Sequence, residues 1–278
     1  MFAAGIAILA MRPLEASADD PAPQSAGRAP QRLSRRVRTL TVAESQTLQP
    51  NSEGTCPPGM ADIDHRFCVD RWEASLVELA ADGHEIPWSP FRAAETGHQL
   101  RAVTRPGVYP QGYISGSQAA RACSAAGKRL CAPAEWRKAC MGPDENKFGY
   151  GAARVAGRCN DRGRSPMVRY YPSFLSPSTS TPIGAKEMND PRLNQLAGTL
   201  SPTGSHEGCT NDYGVYDMVG NLHEWTSDPN GTFQGGYYLD THRNGDGCSY
   251  KTVAHDFVYH DYSTGFRCCA DPGSSSSP

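Results

Sequence analysis

With 278 residues, 38% of them apolar, the chain is long enough to bury one sizeable core. A net charge of -2 excludes a general polyanion binder, which would carry a basic excess, so nucleic acid is not an expected partner. The 28 glycines and 22 prolines favour loops over long regular elements. Ten cysteines, even in number and with no C-x-x-C pair, point to disulfides in an oxidising compartment rather than to a zinc or thioredoxin site.

Residues 2–11 form a short apolar run, and Ala16-Ser17-Ala18 before Asp19 is an A-x-A cleavage signal. Residues 1–18 therefore read as a signal peptide or an N-terminal anchor, too short to span a bilayer but able to tether the chain to one. No basic residue precedes Phe2, so either the true start lies upstream or the segment is an uncleaved anchor. No cysteine follows the run to take a lipid. Export is expected, to a periplasmic, envelope-associated or secreted location. Residues 19–55, rich in Ala, Pro, Ser, Gln and Arg, read as a disordered linker. Its arginines (Arg28, Arg32, Arg35, Arg36 and Arg38) read as a solvated tether rather than an arm for an anionic surface.

The folded domain is expected over residues 56–271, followed by a flexible Ser-rich tail at 272–278. Ser117 is a candidate N-cap for a helix whose apolar face is Ala119, Ala122, Cys123 and Ala126, with Gly127 at the C′ position. A second helix starts at Pro133, carries Glu135 in its first turn, runs through Trp136 to about Cys140 and stops by Gly142-Pro143. Residues 67–79 and 253–268 read as strand segments. The long loops between them call for disulfides or a bound cation to hold the chain together.

Six segments, in order, carry a resemblance. They are Asp70-Arg71-Trp72-Glu73; Gly127-Lys128-Arg129-Leu130 followed by Ala134-Glu135-Trp136; Tyr150-Gly151 followed by Asn160; the run from Gly214-Val215-Tyr216-Asp217-Met218 to Val219-Gly220-Asn221-Leu222-His223-Glu224-Trp225; Gly235-Gly236; and Gly265-Phe266-Arg267-Cys268. Together they resemble the formylglycine-generating, or sulfatase-modifying-factor, family. That resemblance implies an α+β fold related to C-type lectins, with few short helices and strands, much loop, and bound calcium.

Calcium takes hard oxygen ligands, and the turn at Gly220-Asn221 can bring two flanking carboxylates together. The resemblance assigns side-chain ligation to Asp217 and Glu224 and carbonyl ligation to Gly220 and Leu222, with Asn160 and Asp161 as a second possible calcium site. His223-Glu224 is not a zinc-protease motif, because Ser227 stands where the second histidine is required. In the family's oxidase, two cysteines after the Gly-Gly pair hold copper(I), and oxygen then converts a substrate cysteine to formylglycine. Here Asp240 and Gly245 fall at those positions, and Tyr237 replaces the serine usual directly after the glycines. A carboxylate and a glycine do not hold copper(I) as two thiolates do, so copper is not expected. The resemblance ties Cys140 to Cys248 and Cys123 to Cys268. Cys56 with Cys68, by proximity, Cys159 with Cys209, and Cys131 with Cys269 are the further pairs considered.

The late cluster of Asp240, His242, His255, Asp256, His260 and Asp261 holds enough nitrogen and carboxylate for a 2-His-1-carboxylate iron site, although surface or hydrogen-bonded loop residues are the plainer reading. Three functions are therefore carried forward. The first is a non-catalytic module, stabilised by calcium and disulfides, that binds a protein, peptide or glycan outside the cytoplasm. The others are a formylglycine-generating oxidase with a rearranged metal site and an iron-dependent oxidase. A binding surface is expected around residues 240–246, with Trp72, Trp225, Tyr237, Tyr238 and Arg243 offering stacking and charge, although the two tryptophans fit core positions equally well.

Overall fold

The computed structural model describes residues 56–175, 184–253 and 255–274; the signal, linker and terminal-tail expectations for residues 1–55 and 275–278 lie outside them. The domain opens with β1 (Met60–Ile63), which turns back through Asp64 and His65, both at positive φ, to pair antiparallel with β2 (Phe67–Asp70). The Asp62 carboxylate accepts the His65 backbone N–H at 2.7 Å and pins that turn. Residues 67–79 do not form one strand. The chain leaves the first sheet at Arg71-Trp72-Glu73 and re-forms as β3 (Ala74–Leu79), which lies between β4 (Glu85–Pro87) and β5 (Leu100–Thr104) in a separate sheet. Glu73 is fully buried at the break, so the switch of sheets sends a carboxylate inward.

Helix α1 spans Gly116–Ala125 and buries Ala119, Ala122 and Cys123. Its N-cap is Ser115, not Ser117. The Ser115 hydroxyl accepts the Gln118 N–H and the Gln118 side chain accepts the Ser115 N–H, a reciprocal capping box. Ser117 falls in the first turn and gives its own N–H to the Phe257 carbonyl. Gly127, at φ 67°, closes the helix at C′. After the short β6 (Arg129–Leu130), α2 spans Pro133–Met141 with proline at its first turn. The Glu135 carboxylate accepts the Ala132 N–H at 2.8 Å, which supplies the cap that alanine lacks. Two short helices follow, α3 (Pro166–Tyr170) and α4 (Ala185–Met188).

The remaining strands are β7 (His223–Trp225), β8 (Phe233–Gln234), β9 (Lys251–Thr252), β10 (Thr264–Phe266) and β11 (Cys268–Ala270). Most of the strand expected over 253–268 is loop: Val253 and Val258 are 61% and 66% exposed, and regular pairing begins only at Thr264. One sheet has the order β1-β2-β11-β6, another β10-β7-β8-β9, and the third β4-β3-β5. β10 runs parallel to β7.

β11 joins the two main cores. Successive strand residues face opposite sides. Cys268 packs with the core around α1, Trp225 and Phe266, while Cys269 packs with the core around α2 and Val219. Their bridges follow suit: Cys268 is bonded to Cys123 on α1 and Cys269 to Cys131 before α2. Cys56–Cys68, Cys140–Cys248 and Cys159–Cys209 complete the set, so all ten cysteines are paired. A third core is largely aromatic, with Tyr113, Tyr238 and Tyr262 around Met167 and Leu193. The architecture is α+β, with short elements, much loop and five disulfides.

Candidate functional site

The run from Asp217 to Glu224 is folded by backbone that few residues tolerate. Asp217 and Asn221 sit at φ 59° and 56°, and Gly220 at 84°, where an added Cβ would lie 2.2 Å from the Asn160 carbonyl oxygen. Asn221 is the hub of this turn. It donates to the Glu73 carboxylate at 2.6 Å, and its side-chain oxygen accepts from the Asn160 amide at 2.8 Å and the Ser201 N–H at 3.0 Å. The other Glu73 oxygen accepts the Leu222 N–H at 3.2 Å.

Glu224 is answered by a cation of the chain itself. Arg267 reaches it with two bonds of 2.6 Å, one to each carboxylate oxygen, and the Trp136 indole N–H adds a third at 2.6 Å. Arg267 also donates to the carbonyls of Asp70 at 3.0 Å and Tyr216 at 2.9 Å, so its fork is fully used. Burial works against the Arg267 charge, but Glu224 more than offsets it and holds the guanidinium pKa above its ordinary value. The two other acids are left with less. Burial, then the Asp217 and Glu224 charges, push Glu73 well above the usual carboxylate range. Burial also pushes Asp217 up to about 6, against one 2.6 Å bond from the Gly204 N–H.

Both carboxylates of the expected calcium set have partners within the chain: Glu224 is in a bidentate ion pair with Arg267, and Asp217 accepts the Gly204 N–H. Asn160 and Asp161, the second pair considered, likewise have protein partners. The Asp161 carboxylate takes Arg154 at 2.7 Å and the Gly157 N–H at 2.9 Å, while the Asn160 amide is spent on Thr199 and Asn221. Glu73, Asn221 and Arg267 form the buried cluster that the sequence reading lacked. The available signal was a charged residue inside the otherwise apolar Phe266-Arg267-Cys268 segment, because a buried charge requires a partner.

Gly235 and Gly236 lead to the positions matching the copper cysteines. A Cβ at Gly236 would lie 2.2 Å from the Asp240 carbonyl oxygen, so this approach needs glycine. The Asp240 carboxylate accepts the backbone N–H groups of His242 and Arg243, both at 3.1 Å, and the Tyr250 hydroxyl at 3.2 Å. Gly245 sits at φ 110°. No sulfur is available at either place, and Cys248 is bonded to Cys140, so the residues present do not fit copper(I).

Behind Asp240 runs a buried chain of polar side chains. Tyr250 lies 3.3 Å from His223 Nε2, and His223 Nδ1 lies 3.2 Å from the Ser263 hydroxyl. Ser263 in turn donates to Asp261 at 2.7 Å. Burial drives the His223 pKa down to about 3, so the imidazole is neutral. The histidines of the late cluster are not brought together. His242 is largely exposed beside Asp240, His255 stacks on Tyr259 at 3.8 Å, and His260 bonds to Asn189 at 2.7 Å. Asp256 caps its own turn through the Val258 N–H. These residues therefore do not assemble the considered iron site. Of the expected stacking residues, Trp225 and Tyr238 are core, and Trp72 stacks on Tyr216. Tyr237 and Arg243 remain near Asp240.

Comparison with known proteins follows the same lines. Residues 49–272 match the family described as the sulfatase-modifying factor enzyme 1-like domain. The formylglycine-generating enzyme of Mus musculus is 27% identical over 145 residues, covering 51% of this chain and 34% of that protein, so the match spans about a third of the relative's length. Among solved structures, CarF is 21% identical over 51% of this chain and 47% of its own, with a TM-score of 0.33. PvdO from Pseudomonas aeruginosa is 15% identical over 74% and 80%, with a TM-score of 0.38. The family match covers most of the chain and includes every disulfide and every residue of the buried cluster, and the chain belongs to the sulfatase-modifying-factor family.

Proposed function

We propose that this chain is an exported, non-catalytic member of its family that binds a protein, peptide or glycan ligand. One observation carries the reading: all ten cysteines are in bridges, with Asp240 and Gly245 where the copper thiolates would stand. Oxidation of a substrate cysteine by copper(I) needs thiolates to hold the metal, and this chain has none to offer. Five bridges support a location outside the reducing cytoplasm, and no helix among the described residues is long and apolar enough to cross a membrane. Rigidity comes from the bridges and from the Glu224–Arg267 pair. The residues around Asp240, Tyr237 and Arg243 are the proposed ligand-facing surface, resting on the neutral His223 and on Tyr250. Alkylation of the native, unreduced protein followed by mass spectrometry tests the premise. No labelled cysteine is expected, and a stoichiometric label on Cys140 or Cys248 would restore a candidate copper ligand and overturn the reading.

A further inference from the structure

A second site involves none of the residues around Asp240. Helix α1, strand β3 and the segment 94–100 line a groove, open on one side, of about 480 Å³. About two-thirds of its lining is apolar, from side chains such as Leu76, Leu79, Leu100 and Ala122, and Gln118, His98 and Arg121 are among the polar groups that complete it. A volume of this size and lining suits a small organic ligand. Its outer wall is held in place before any ligand arrives. Gln118 on α1 bonds the Ala94 carbonyl, Gln111 bonds the Arg92 carbonyl at 2.8 Å, and the Leu79 N–H bonds the Gln99 carbonyl at 2.8 Å. The opening is thus a preformed groove rather than slack between loops.

The charges at its rim are paired, with one exception. Glu95 is bound by Arg92 through bonds of 3.0 and 2.6 Å, and His98 is 2.7 Å from Glu78. The side chain of Arg121, which also lines the groove, has no hydrogen bond or ion pair among the described residues. An exposed guanidinium with its fork free, beside a largely apolar groove, is suited to a carboxylate. The nearby Glu95 and Glu78 disfavour a dianion such as a phosphate monoester, so a single negative charge matches best. We infer that this groove binds a small monocarboxylate with an apolar body, the body lying against Leu76 and Ala122 and the head group on Arg121. The inference is independent of the surface around Asp240 and of whether the chain has any catalytic activity.

Isothermal titration of the full chain with decanoate, and in parallel with decanol, tests it. Decanoate should bind with about tenfold or greater preference over decanol, the scale of a charge-assisted bond. Arg121→Gln, at an exposed helix position, should abolish that preference while leaving decanol binding unchanged. Ala125→Phe, also at an exposed helix position, should fill the groove and remove both. Equal binding of the two probes, no binding of either, or an unaltered preference in Arg121→Gln would overturn the assignment.

Discussion

Replacing Arg267 by methionine tests the buried ion pair most sharply. The substitution keeps much of the side-chain volume and removes the only basic side chain bonded to Glu224 among the described residues. It also leaves the carbonyls of Asp70 and Tyr216 without their donor. Breaking a buried pair by removing one partner costs about 3–5 kcal/mol, because a desolvated charge is left behind. The upper half of that range is expected here, since Glu73 and Asp217, both pushed up by burial, also lose the Arg267 charge that favours their ionised forms. With a urea m-value of about 2 kcal/mol/M, the unfolding midpoint of the disulfide-intact protein should fall by about 2 M. Adding Glu224→Gln to the same protein should recover a substantial part of the loss. The neutral amide still accepts from Trp136, and the uncompensated charge is gone. A loss below about 1 kcal/mol, or a double variant as unstable as the sum of the two single ones, would refute the assignment of Arg267 as the neutralising group.

His223→Phe should flatten the acid limb of the stability curve. In the wild type, the folded pKa of about 3 lies below the ordinary value of 6.5, so the unfolded chain binds more protons in that window. Stability from this group is therefore full above pH 6.5 and falls as pH drops towards 3, by roughly 3–5 kcal/mol, as urea titrations at several pH values would read. The neighbouring bridges Cys123–Cys268 and Cys131–Cys269 restrain nearly the same loop, so removing either alone leaves a short loop of about ten residues to close and should cost about 2–3 kcal/mol. Removing both should cost clearly more than the sum of the single losses, measured by urea unfolding of the serine variants. Chelation or addition of calcium should leave the melting temperature unchanged. A stoichiometric rise would place an ion at Asp217 and Glu224, with Arg267 displaced.

The parts of the fold that could be read from the sequence were those set by neighbours in the chain. Pro133 and Glu135 start α2, Gly127 ends α1, and their spacing placed both helices to within a few residues. The N-cap of α1 was misplaced because two serines compete; the Gln118 that completes a capping box with Ser115 was the deciding signal. The apolar and aromatic residues of 253–263 suggested a strand, but no neighbouring strand pairs with them, and β-propensity without a partner gives loop. The candidate site was less accessible to sequence reading. Glu73 and Arg267 lie at opposite ends of the domain and meet only through β2, β7 and β11, so nothing local marks them as one cluster. The turn at Gly220-Asn221 was visible, yet the bond from the Asn221 side-chain amide to Glu73 was not, because Glu73 is distant in the chain. Likewise, His223 looked like half of a zinc motif, whereas its partners Tyr250 and Ser263 come from distant loops.

The most direct test of the central claim is to incubate the full chain with copper(I), oxygen and a cysteine-containing sulfatase-type peptide, and to follow the peptide by mass spectrometry. With every cysteine bridged and Asp240 and Gly245 in the thiolate positions, the account predicts an unconverted peptide at all copper concentrations. Copper-dependent conversion of the peptide cysteine to formylglycine would contradict it.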